Sequence, residues 1–143
     1  MKVDTDLVIS AASLPGLVIL KLFAWVDRKH EKRDAPDILK ILADYTDAGN
    51  EDRLYTEQLP LLEAAGFDVT IAGAQLLGKD ARRIASEETV ASVTKLLADP
   101  DLKQELLNQL VQAAPRSDES FAGHCALLLD TFQRGFTEDD GRN

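Results

Sequence analysis

The sequence predicts a mainly α-helical fold, a compact multi-helix array with a short N-terminal β element. Apolar residues recur at helical spacing through nearly the whole chain, as in Ile38, Leu39, Ile41, Leu42 and Tyr45. Capping residues stand just before prolines at Ser13 and Pro15, Asp34 and Pro36, and Asp99 and Pro100. That order suits helix starts, where a missing N–H costs little. Leu7 to Ile9 reads as a short strand, and the run FDVTIA over 67–72 could pass as another. The chain therefore divides into an extended segment over 1–12, a helical domain over 13–136 and a disordered polar tail over 137–143.

Each element has a local reason. Ser13 caps a first helix that runs to about Val26, and the charged run Arg28 to Arg33 connects it to a second. Asp34 caps that second helix, which ends at Ala48-Gly49-Asn50. A third covers Glu51 to Ala65, with Pro60 bending or splitting it, and Gly66 stops it. Asp68 caps a fourth helix to about Ile84. Ser86, followed by Glu87 and Glu88, caps a fifth through Leu97. Asp99-Pro100 opens a sixth through about Gln112. Pro115 breaks it, and Ser117 or Asp118 starts a seventh through about Arg134.

Composition narrows the function. The chain has 143 residues, with 45% hydrophobic and 29% charged, the balance of one globular domain. Lys plus Arg is 16 against 25 for Asp plus Glu, a formal charge of −9. That argues against a broad nucleic-acid or anionic-membrane surface. One Cys excludes an internal disulfide framework, and with two His it leaves a zinc site short of ligands. The start lacks the basic and apolar regions of a signal peptide. The apolar run Leu14 to Val26 is too short to span a bilayer and carries Lys21 at its middle. These features predict a soluble, cytoplasmic protein.

Lys21 is the most informative residue. An isolated ammonium in an apolar helix is costly to bury, so it must pair or line a polar cleft. Asp34 and Asp37, spaced i, i+3 at the start of helix two, are the nearest carboxylates across the connector. The alternative is a snorkelling lysine with a solvated head. Arg28, Lys29, Lys32 and Arg33 form the one basic concentration. By themselves they fit a solvated helix end that complements the helix dipole better than a phosphate site.

The run over 13–42, SLPGLVILKLFAWVDRKHEKRDAPDILKIL, resembles the segment after the catalytic core in nucleotidyltransferase-like proteins, including toxins of abortive-infection type. The matching residues are Leu20-Lys21, Ala24, Arg28, Arg33-Asp34 and Asp37-Ile38, with Arg33 where Lys is commoner. The run AGAQLLGKDARRI over 72–84 and Arg134-Gly135-Phe136 extend the similarity, so that it covers about 7–136. The resemblance implies a helical half that completes a nucleotide or acceptor cleft. Lys21, Arg28 and Arg33 would contact the substrate, while Asp34 and Asp37 orient the cations.

The catalytic half is what such proteins use for chemistry. There a Gly-Ser turn grips a nucleoside triphosphate and an Asp-x-Asp pair holds Mg²⁺ for phosphoryl transfer. Asp4-Thr5-Asp6 spells Asp-x-Asp, but no Gly-Ser turn precedes it. These residues are expected to solubilise the chain start. The chain alone is expected to be inactive and to bind neither metal nor cofactor. Its partner would be a catalytic core. The other reading is a non-catalytic helical interaction module, a homodimer or an antitoxin-like partner.

Three further patterns are set aside. Gly73 to Asp80 is one residue from a P-loop, but Asp80 stands where Mg²⁺ needs a hydroxyl. Gly73 and Gly78 are expected instead to permit close helix packing. His124 and Cys125 are helix neighbours about 100° apart and make no dyad, and His30 is expected at the surface. Phe23 and Trp25 belong to the core pattern, where they cannot stack on bases.

Overall fold

The computed structural model describes residues 13–114 and 119–138. Among them are eight α-helices, no strand and two short 3₁₀ turns. The helices are α1 (Leu14–Asp27), α2 (Ala35–Asp44), α3 (Glu51–Tyr55), α4 (Leu59–Ala64), α5 (Val69–Ile84), α6 (Glu87–Ala98), α7 (Pro100–Gln112) and α8 (Glu119–Thr137). The expected strand at Leu7 to Ile9, the Ser117 or Asp118 cap and residues 139–143 lie outside the described residues.

Most helix starts follow their caps. The Ser13 hydroxyl accepts from the Gly16 N–H at 3.2 Å. Asp68 accepts from Thr70 and Ile71, Ser86 from Thr89, and Asp99 from Asp101 and Leu102. Each bond satisfies a backbone donor that has no partner inside its own helix. Pro60 splits the 51–65 segment into α3 and α4, one of the two outcomes expected of it, because its ring cannot donate to the ladder and suits only a first turn. The final helix runs on to Thr137, one residue into the expected tail.

Helix α5 is the centre of the array. It packs on α1, α2, α3, α4 and, most extensively, α8. Its glycines permit that closeness. A Cβ on Gly78 would collide with the Phe132 carbonyl oxygen and the Phe136 nitrogen, both backbone atoms of α8. A Cβ on Gly135 would strike the Gln75 carbonyl oxygen from the other side. Gly73 makes room for the Thr46 side chain, whose hydroxyl donates to the Val69 carbonyl at 2.6 Å. The P-loop-like run therefore lies inside a helix and serves packing, as the helical reading expected.

The core is continuous, from Val18, Leu22 and Trp25 on α1 through Leu76 and Leu77 on α5 to Phe132 and Phe136 on α8. Each such side chain contributes about 1.5–3 kcal/mol by leaving water. Helix α1 is unusual among these elements because its outer positions are also apolar. Leu14, Leu17 and Phe23 are only partly buried, and Val26 is exposed. A helix that is apolar on every side is normally covered on every side.

Candidate functional site

Helices α1 and α2 pack against each other across the charged connector, which carries the 3₁₀ turn Lys29–Glu31 and a left-handed Lys32. This brings Lys21 over the start of α2. Its Nζ lies 2.8 Å from an Asp37 carboxylate oxygen and 3.7 Å from Asp34. The side chain is only a quarter exposed, so the ammonium is paired and not simply snorkelling.

Asp34 is almost completely buried. Arg28 reaches it with a bidentate grip, Nε to Oδ2 and Nη2 to Oδ1, both at 2.9 Å. Both carboxylate oxygens are thus engaged, and Asp34 makes no side-chain cap bond at the α2 N-terminus, contrary to expectation. A guanidinium fork outcompetes a backbone N–H because two parallel charge-assisted bonds replace one. The hydrogen bonds from Arg28 hold the Asp34 carboxyl below the usual carboxylate range against its burial, and Lys21 and Arg33 add to the lowering. Arg28 is raised in turn, chiefly by the same hydrogen bonds.

Four of the five candidate site residues therefore converge: Lys21, Arg28, Asp34 and Asp37. Arg33 does not join them. It pairs with Glu31 at 3.2 Å and points largely into solvent. Beside the cluster runs a groove of about 350 Å³ between α1 and α2. Leu14, Leu17 and Ile41 form its apolar floor, and Lys21, Asp37 and Lys40 stand at its rim. Lys40 is itself paired with Asp44 at 2.9 Å.

The connector is held from below by α7. Gln109 is buried, accepts from Trp25 Nε1 at 3.0 Å and donates from Nε2 to the Lys29 carbonyl at 2.9 Å. Lys29 also pairs with Glu105. These bonds set the height of the turn that carries Arg28. A polar Gln109 inside the apolar stripe of Leu106 and Leu110 was the signal in the sequence for this role.

No protein-family model, curated protein or solved structure matches the chain. The site's chemistry is therefore read from its own groups. Two cations and two carboxylates balance one another in the cluster. Among the described residues no group of three His, Cys, Asp or Glu side chains could hold a metal, and no helix is long and apolar enough to cross a membrane.

A second buried polar cluster escaped the sequence reading. Asp80 receives Arg53 through two bonds of 2.9 and 3.0 Å, Arg83 at 3.1 Å and the Tyr45 hydroxyl at 2.5 Å. Burial and then the bond to Asp80 push the Tyr45 phenol up. The bonds to Asp80 raise Arg53 as well. This cluster ties α2, α3 and α5 together. Its members are engaged with one another, and it serves the fold. Cys125 is buried, and burial alone raises its thiol. His124 faces Phe121, with ring centroids 6.5 Å apart. The buried Trp25 indole is spent on Gln109 and offers no stacking face.

Proposed function

We propose that this chain is the helical half of a nucleotidyltransferase-like protein. Joined to a catalytic core, it completes a cleft for a nucleotide or an acceptor and is inactive alone. The observation that carries the reading is the unequal pairing of Lys21. Asp34 is locked by Arg28, whereas Asp37 is half exposed and binds Lys21 at the mouth of an apolar groove. An ammonium has three donors, and an incoming phosphate can exchange with a solvated carboxylate more cheaply than with a buried one. Asp34 acts as an orienting group that keeps both cations charged and in place. The apolar floor of the groove suits a flat, weakly polar body beside that phosphate.

The carboxylates here are neutralised by Lys21 and Arg28, so they do not suit Mg²⁺. A metal and a nucleoside triphosphate would enter with the core, where Mg²⁺ would neutralise phosphate charge. Arg33 contributes only through its field on Asp34.

Calorimetry with ATP and Mg²⁺ tests this. The full chain is titrated alone and with a nucleotidyltransferase core bearing the Gly-Ser turn and Asp-x-Asp pair supplied in trans. The expected result is binding only in the mixture, weakened at least about tenfold by Lys21→Ala, equivalent to about 1.4 kcal/mol. Equal heats with and without the chain would reject the reading.

The all-round apolar character of α1 favours a second reading, a non-catalytic interaction module that is a homodimer. Sedimentation at high concentration separates the two, because a chain that remains monomeric excludes the homodimer.

A further inference from the structure

The described residues also leave the flank of α1 opposite Lys21 uncovered. Helix α1 rests on α2 and α5, while α6 rests on α7 and α8, and a trough is left between α1 and α6. It has two lobes that meet at Phe23. One, of about 350 Å³, runs from Ile84 past Ile19 and Leu20; the other, of about 490 Å³, runs past Val26 to Leu102. Val26 and Ile84, at the two ends, are among the few large apolar side chains exposed to solvent. From Gly16 to Val26 the trough follows eleven residues of α1, roughly 15 Å at helical rise, or about three turns.

Its ends differ in charge. At the Ile84 end the polar groups are the hydroxyls of Ser86 and Thr89. At the Val26 end stand the carboxylates of Asp27 and Asp99 with one ammonium, Lys95. That end is net acidic on a chain of net charge −9. A second copy would bring like charge to it, which argues against self-association there.

We propose that the α1–α6 trough docks an amphipathic helix of a partner protein, whose three-turn apolar stripe ends in lysine or arginine. A trough between two helices accepts a third helix by ridge-into-groove packing. Its length fits anchors at i, i+3 or i+4, and i+7. The acidic end sets the direction in which the partner lies, since electrostatic complementarity fixes register. This goes beyond the nucleotide reading, because the trough lies across α1 from Lys21 and its occupant needs no nucleotide.

Two labelled helical peptides test it on the full chain, each with leucines at i, i+3 and i+7. One ends in two lysines and the other in two glutamates. Fluorescence anisotropy at low salt is expected to show the lysine-ended peptide binding at least about tenfold tighter, with the difference shrinking as salt rises. Val26→Glu is expected to weaken binding about tenfold, and Asp27→Lys to abolish the preference. Both positions are exposed, and circular dichroism verifies that the variants fold. Equal binding of the two peptides, no binding of either, or unchanged binding by both variants would overturn the proposal. So would a dimer that Val26→Glu dissociates.

Discussion

Replacing Asp34 by Ala is the most direct challenge to the cluster. In the native chain this carboxylate is almost fully buried, accepts two 2.9 Å bonds from Arg28 and faces Lys21 at 3.7 Å. Removing one member of a buried ion pair costs about 3–5 kcal/mol when its partner is left buried. Here the partners can recover water, since Arg28 is more than a third exposed and Lys21 retains Asp37. The cost therefore falls nearer the value for hydrogen bonds to charged groups, about 1.5–3 kcal/mol. Urea unfolding followed by circular dichroism reads it. With a slope near 1.5 kcal/mol/M, the midpoint should fall by roughly 1–2 M. The pH dependence provides an independent check. The Asp34 carboxyl lies below its unfolded value, so its stabilisation is fully present above about pH 4. It is lost as pH falls through the lower folded value, and the gap between native and variant must close in that acid range. A midpoint shift under about 0.3 M, or a gap that persists unchanged at pH 2, would refute the assignment of Asp34 as a buried, ionised anchor.

Two other perturbations probe the frame around it. Gln109→Leu strands both the Trp25 N–H and the Lys29 carbonyl, and should cost about 1–3 kcal/mol. Because Trp25 is the one tryptophan, its fluorescence reports the change, and a variant with native stability and an unchanged spectrum would show that the α7 clamp is dispensable. Gly78→Ala forces a methyl against the α8 backbone and should destabilise by about 1–3 kcal/mol, despite the helix propensity alanine gains. A neutral or stabilising result in thermal unfolding would mean that α5 and α8 do not approach as closely as described.

The helix plan was legible because its signals are local. A capping oxygen acts within three residues, a proline within one turn, and an apolar stripe repeats every 3.6 residues. Ser13, Asp68, Ser86 and Asp99 accordingly cap as their positions predict, and Pro60 breaks its helix. Lys21 was legible for a different reason: one charge in an apolar helix demands a partner, and the two carboxylates across a short connector were the nearest supply.

What the sequence alone determined is therefore the succession of helices and the need for Lys21 to find an anion. The tertiary structure decided the rest, because it sets which groups compete for one another. Asp34 could cap α2 or hold Arg28, and only the path of the connector makes the guanidinium the closer partner. Gln109 finds its partners 80 and 84 residues away, and Asp80 meets Arg53 across 27 residues, distances over which no local pattern acts. Helix α1 shows the limit most clearly. Apolar on all sides, it has no sequence phase that says which face is buried. The packing of α2 and α5 beneath it decides that, and the described residues leave a groove along each of its two flanks.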